Sequence, residues 1–412
     1  MKTYRQILFR ALPILLLLCA AIVFYGDCTV RGGGDFLVYW QVAKRVLGGG
    51  PNYLPSVDIP NAYRYPPWSL PLFLPLAAGT FEFARVVWAL ISVAAMFAAI
   101  AWIAKKAHCS LWSIVVSLIF TWGIWGSEFN HGQVCVPMLA GLLWFWDKDL
   151  PQSSRWRAVG LLFIASIKVF TAFPVFYFWN RFREGLSKNP GPWVRALALT
   201  VGLFAVLSIP SLIGAGSPHF RNLLGSWYEV GHSVMAGFGP DFVRGRSNQG
   251  LPVVVGRIVD IHSVSDRVDL MAFVVISILI GLWWNRVSKR LTPEESWAGW
   301  VAWICVIDPL SWSRNFVLAL PLLALSVDRA WRSGRRDLMA LVTLGLVFTG
   351  PLTINTGRSI AWSPESKALL MKVFWWMEMA GIKSLGLLVC AAGFLLSRRA
   401  LAERMAPATA SP

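Results

Sequence analysis

The sequence predicts an all-α integral membrane protein, a polytopic helical bundle with about 12 membrane segments. Three observations carry this prediction. Of the 412 residues 56 % are hydrophobic, with 23 Trp and 25 Phe among them. Apolar runs of spanning length recur from one end of the chain to the other, and lipid is the solvent in which so many can be buried. The net charge of +17 gathers in alternate connections, the distribution that the positive-inside rule sets.

The first run, "ILFRALPILLLLCAAIVFYG", carries Lys2, Arg5 and Arg10 at its start. It has no A-x-A-like cleavage site and exceeds a signal-peptide core in length, so it is expected to stay as the first helix. Further helices are expected near 82–104, 112–127, 133–146, 158–167, 169–180, 195–214, 269–285, 296–307, 315–327, 338–350 and 380–397. Segments 158–167 and 169–180 are too short to span alone and are expected to form a hairpin of half-crossings around Lys168. With the N-terminus inside, the connections near 105–111, 147–157, 181–195, 286–295 and 328–337 and both tails are cytoplasmic, and they hold most of the basic surplus. The basicity is thus a topology signal, and no nucleic-acid partner is expected. One domain is expected over 1–400, with extracytoplasmic loops near 27–81 and 215–268 and a disordered cytoplasmic tail over 401–412. The 6 cysteines fall mostly within or beside spans, so no disulfide framework is implied.

The first outside loop contains "RGGGDFLVYWQVAKRVLGGGPNYLP", residues 31–55. Phe36, Tyr39, Trp40, Ala43, Val46 and Leu47 recur at helical spacing, with Gln41, Lys44 and Arg45 opposite. The glycines at 48–50 and Pro51 end the helix. Its aromatic face is expected in the membrane interface. Asp35 at the head of this helix suits an N-cap, yet the glycines before it permit a close backbone approach that a cap does not need. The proline-rich stretch "NAYRYPPWSLPLFLPLAAGTFEF", 61–83, is expected to lie as a second interfacial helix.

Four further polar clusters fall at outside turns or at membrane depth. "EFNHGQV" packs Glu128, Asn130, His131 and Gln133 between two apolar helices, either a tight polar turn or a wall of hydrogen-bonding groups. Lys168 stands inside "LLFIASIKVFTAFPVFYFW", where a charge either snorkels or faces a cavity or an anion. "DPLSWSRNF" puts Asp308, Trp312, Arg314 and Asn315 at another turn. "FVRGRSNQGLPVVVGRI" places Arg244, Arg246 and Arg257 outside, where the positive-inside rule disfavours them. "DKD" at 147–149 reads as a solvated turn, and the 5 histidines show no metal-ligand spacing, so no metal is expected.

Taken in order, "GDFLVYW…GGGPNYLP", "YRYPPWSLPLFLPLA", "HGQV" (131–134), "SIKVFTAFP" (166–174), "SNQGL" (247–251) and "DPLSW" (308–312) resemble glycosyltransferase family 87. That family comprises membrane mannosyltransferases of the GT-C fold that use polyprenyl-phosphate sugars. The resemblance implies a GT-C-like bundle and a catalytic base at Asp35. It also implies an inverting transfer of a hexose, mannose first and arabinofuranose as an alternative, to a lipid or glycan acceptor. The expected place is the extracytoplasmic face of a bacterial cytoplasmic (inner) membrane. Cations for the donor phosphate are then Lys168, Arg64, Arg246, Arg257 and Arg314. Substrate-binding groups are Tyr39, Tyr65, Glu128, His131, Gln133, Asn248, Gln249 and Trp312. No cofactor is expected; the polyprenyl-phosphate sugar is a substrate. Cys135, Gly250, Arg314 and Asn315 depart from the family pattern. The rival class is a polyprenyl-linked sugar or solute transporter (flippase), which predicts internal repeats and interrupted helices at the midplane; the sequence has no such repeat. A third reading is a non-catalytic subunit of an envelope-assembly complex.

Overall fold

The structure, a computed structural model, describes residues 2–31, 33–54, 63–168, 189–214, 220–237, 248–259, 266–308, 311–352 and 363–405. Among them the chain is helical throughout, and the one strand-like pairing is the antiparallel bridge between Asn248 and Trp312. The helices are α1 Lys2–Gly26, α2 Gly34–Leu47, α3 Leu74–Ala77, α4 Phe81–Lys105, α5 Leu111–Phe120, α6 Trp122–His131, α7 Cys135–Trp144, α8 Arg155–Ile167 and α9 Gly191–Gly214. They continue as α10 Phe220–Gly237, α11 Leu251–Val259, α12 Asp266–Ser288, α13 Pro293–Ile307, α14 Leu320–Ser333, α15 Arg336–Thr349, α16 Pro364–Met379 and α17 Ile382–Met405.

Among the described residues five stretches are long and apolar enough to cross a membrane: Phe9–Val30, Phe81–Lys105, Gly191–Gly214, Met271–Ser288 and Ile382–Arg404. A sixth arises if α5 and α6, bent by 73°, count as one broken span. The expected dozen segments also count shorter apolar runs and half-crossings. Helices such as α7, at 10 residues, reach only about 15 Å, half of a hydrocarbon core. The α5–α6 break replaces the continuous helix expected over 112–127. Ser117 and Thr121 turn their hydroxyls back onto the carbonyls four residues earlier, which bends helices. The second half-crossing, 169–180, lies outside the described residues. Helix α16, with a capping box of Ser363 and Ser366, is absent from the sequence reading.

The described chain falls into two compact units. One comprises 1–22, 100–126 and 246–412. Its centre is α13, buried from Glu295 to Ile307 and started by the capping box of Thr292 and Glu295. Helix α14, buried over most of its length, packs beside it. Helices α15 and α17 approach closely because a Cβ at Gly386 would stand 2.5 Å from the Thr349 nitrogen. Small residues are what let membrane helices meet in this way.

The other unit comprises 23–99 and 127–245. Here the aromatic face of α2 meets protein, which corrects the interfacial placement. Phe36 stacks on Trp88 at 5.4 Å, and Tyr39 lies 4.8 Å from Phe73. Val38 and Val42 are buried as well, so α2 hides more than one stripe while Leu47 stays exposed. The expected second interfacial helix is replaced by a 3-10 stretch, Pro67–Leu72, and the single turn α3. Pro67, Pro71 and Pro75 remove the N–H groups that a continuous helix over 61–83 would require.

Candidate active site

The geometry of the second unit starts from Gly33 and Gly132. Gly33 stands ahead of α2 at φ 111°, and its N–H donates to the Asn130 carbonyl at 2.8 Å. Gly132 turns the chain after α6 at φ 62°, and a Cβ there would stand 2.7 Å from that of Phe36. Its carbonyl accepts the Trp88 indole N–H at 2.9 Å. Both glycines therefore permit backbone conformations and contacts that a side chain would obstruct. The result brings the first turn of α2 against residues 130–133. The N-cap is Gly33, without a side-chain cap bond, so Asp35 does not cap α2.

Asp35 instead meets Gln133, whose Nε2 donates to Oδ2 of the half-buried carboxylate. The other end of the amide, Oε1, accepts from Tyr65 at 3.3 Å and from Tyr39 at 3.5 Å, and the two phenol oxygens are 2.9 Å apart. Burial pushes the Tyr65 phenol up to about 12, with Lys168 pulling it back; Tyr63 is likewise raised by burial. Nζ of Lys168 donates to Sγ of Cys135 at 3.0 Å. Glu128 accepts the backbone N–H of Cys135 at 2.7 Å. Lys168 is also the residue at which α8 stops. Asp35, Tyr39, Tyr65, Glu128, Gln133 and Lys168 thus belong to one polar cluster, and Cys135 joins it although the sequence reading noted it only as a departure.

Two other expected residues of this unit are His131 and Arg64. Nδ1 of His131 lies 2.7 Å from the Ser127 carbonyl, which makes it the protonated ring nitrogen. Arg64 is half-buried, and its carbonyl accepts the Trp227 indole N–H at 2.9 Å.

The remaining expected residues that are described lie in the first unit. Gln249 donates from its backbone to Ser311 at 2.7 Å and from Nε2 to the Glu378 carbonyl at 2.9 Å, while its Oε1 accepts the Lys383 backbone N–H. Arg257 donates to the carbonyls of Met379 and Asn248. Gly250 has no room for a Cβ beside the Asp308 carbonyl. Arg314 lies over the Trp312 ring at 5.9 Å. Arg246 lies outside the described residues. Lys383 was missed by the sequence reading: its buried Nζ donates to the carbonyls of Thr349 and Gly350 at 2.9 and 3.1 Å. A lysine just inside the run "IKSLGLLVC" is the signal that marks it.

Among the described residues no group of three or more His, Cys, Asp or Glu side chains is placed to hold a metal ion. No curated protein and no solved structure matches the chain. The family model of glycosyltransferase family 87 matches residues 63–354, a stretch that includes Tyr65, Glu128, Gln133, Cys135 and Lys168 and begins after Asp35 and Tyr39. The match covers more than half of the chain, and its apolar helices suit a membrane protein, so the chain belongs to glycosyltransferase family 87, an enzyme that moves a sugar from a donor to an acceptor.

Proposed function

We propose that the chain is an inverting hexosyltransferase of the GT-C fold. It takes mannose from a polyprenyl-phosphate donor and passes it to a lipid or glycan acceptor at the extracytoplasmic face of a bacterial cytoplasmic membrane. The observation that carries this reading is the polar cluster that holds a carboxylate, Asp35, and an ammonium, Lys168. Inverting transfer needs a base for the acceptor hydroxyl and a positive charge for a leaving phosphate. The surplus of basic residues in alternate connections supports the sidedness. Where nucleotide sugars are absent, a donor carried by membrane lipid makes physical sense.

In this scheme the acceptor oxygen bonds to the anomeric carbon as the bond from that carbon to the phosphate oxygen breaks. The hydroxyl proton passes to Asp35. The electron pair leaves with the polyprenyl phosphate, which gains one negative charge opposite Lys168. A single displacement inverts the anomeric centre, so a β-linked donor gives an α-linked product. The scheme uses no metal and no cofactor.

Transfer from radiolabelled polyprenyl-phosphate mannose to native membrane lipids tests the reading, with Asp35→Asn as the paired variant. Label incorporated by the wild type and not by the variant supports donor, class and base together. Transfer by Asp35→Asn at the wild-type rate removes Asp35 as the base. Incorporation from a polyprenyl-phosphate arabinofuranose donor alone replaces the sugar and keeps the rest.

A further inference from the structure

The amide of Gln133 answers to two opposite demands. A carboxylate only accepts hydrogen bonds, so the end of the amide that faces Asp35 must be Nε2. Oε1 then faces Tyr39 and Tyr65, where a phenol O–H must donate to it. Both phenols are buried, and burial keeps Tyr65 protonated and therefore a donor. The backbone agrees with the side chain, because the Gln133 N–H donates to the Glu128 carbonyl at 3.1 Å, directly after the Gly132 turn. A glutamine held at both ends has one orientation available to it. An aspartate in the first turn of a helix has none imposed by its own torsions, since its terminal torsion is broad and roughly two-fold.

We propose that Gln133 is a positioning residue for Asp35, locked by Tyr39 and Tyr65, and that these three side chains aim the carboxylate rather than grip the sugar. The inference rests on the proposed role of Asp35 as the base. General-base transfer depends on the hydroxyl, the carboxylate oxygen and the anomeric carbon being aligned, and small misplacements are expensive in rate. A residue acting in this way changes turnover and leaves donor binding alone. One that holds the sugar changes donor KM.

Steady-state transfer by the full chain in membranes separates these roles, with polyprenyl-phosphate mannose as the probe, or its arabinofuranose counterpart if the wild type uses that. Gln133→Leu is expected to lower kcat about ten- to hundredfold while donor KM stays within about twofold. The paired change Tyr39→Phe with Tyr65→Phe is expected to lower kcat in the same sense, because the amide loses its lock. Combined with Gln133→Leu it should add no further loss, since all three act through one carboxylate. Independent roles would give losses that multiply. Multiplying losses, or a raised donor KM at wild-type kcat, overturn the proposal. If Gln133→Leu does not accumulate in the membrane, the tyrosine pair decides alone, and wild-type kcat without those phenols overturns it. Asp35→Asn, measured beside them, keeps the two readings apart. An active Asp35→Asn removes the base; an inactive one with wild-type kcat in Gln133→Leu removes only the positioning role.

Discussion

Oε1 of Glu128 accepts the backbone N–H of Cys135 at 2.7 Å and that of Val136 at 3.3 Å. Helix α7 begins at Cys135, and its own N-cap residue, Val134, makes no side-chain cap bond. The carboxylate therefore supplies from the preceding turn what a capping residue would supply locally, and its charge suits the positive end of the helix dipole. Glu128→Gln keeps an acceptor and is expected to cost less than about 1 kcal/mol, whereas Glu128→Ala leaves buried N–H groups unpaired and should cost about 1–3 kcal/mol. Thermal unfolding in detergent micelles distinguishes the two variants. Equal melting temperatures for Glu128→Ala and the wild type would remove Glu128 as the cap.

Arg329 is a buried charge of the unit that comprises 1–22, 100–126 and 246–412. It lies 3.0 Å from Glu295 and 2.5 Å from Asp328, while Arg332 meets Asp328 at 2.8 Å and Arg398 meets Glu295 at 3.1 Å. Both carboxylates are almost fully buried. Without Arg329 each carboxylate keeps one arginine, Arg398 on Glu295 and Arg332 on Asp328, so Arg329→Met is expected to destabilise by about 1–3 kcal/mol through its lost charged hydrogen bonds. Adding Arg398→Met to that variant leaves Glu295 without either of these arginines and should deepen the loss. A double variant as stable as Arg329→Met alone would count against the charge account.

What the sequence displayed, and what it concealed, follows from range. Helix α2 and its stop at Gly48–Gly50 were visible because apolar spacing and glycine act locally. The proximity of Asp35 to Gln133 was not: it depends on the φ 62° turn at Gly132 and on the missing Cβ there. The resemblance to the family names both residues as expected site residues without that geometry. The direction of the aromatic face of α2 was misread since lipid and protein interior attract the same side chains, and only the partners Trp88 and Phe73 decide between them. The pairing of Glu295 with Arg329 spans 34 residues, and nothing in either local sequence announces it.

Cys109 offers a reporter for the same region. Its thiol donates to the Ala324 carbonyl at 3.3 Å, and burial pushes it above the usual thiol range, with Asp328 adding to the rise. A raised value keeps the group a thiol at neutral pH, and the thiolate is the nucleophile. Maleimide should therefore leave Cys109 unmodified in the folded chain at neutral pH and modify it as the chain opens. The rate should rise in Arg329→Met, since the Arg329 guanidinium also donates to the Ala107 carbonyl beside Cys109. Peptide mapping after timed labelling reads both. Rapid modification of the wild type would contradict the burial of this thiol.

Lys168 decides how much of the proposed chemistry is electrostatic. It ends α8, and its ammonium donates to Cys135 in the cluster that includes Gln133 and Asp35. A contact from an ammonium to a phosphate is a charge-assisted bond of about 1.5–3 kcal/mol, so Lys168→Ala is expected to weaken use of the lipid-phosphate donor by about ten- to hundredfold in kcat/KM. Lys168→Arg retains the charge and should lose less, though not nothing, because a planar fork does not replace a point charge at one position. The division between kcat and KM carries the mechanism. A rise in donor KM alone means that Lys168 holds the phosphate equally before and during transfer. A fall in kcat means that it meets the charge that grows as the bond to the anomeric carbon breaks. Unchanged donor kinetics in Lys168→Ala would take Lys168 out of the site and leave the departing phosphate to a cation elsewhere in the chain.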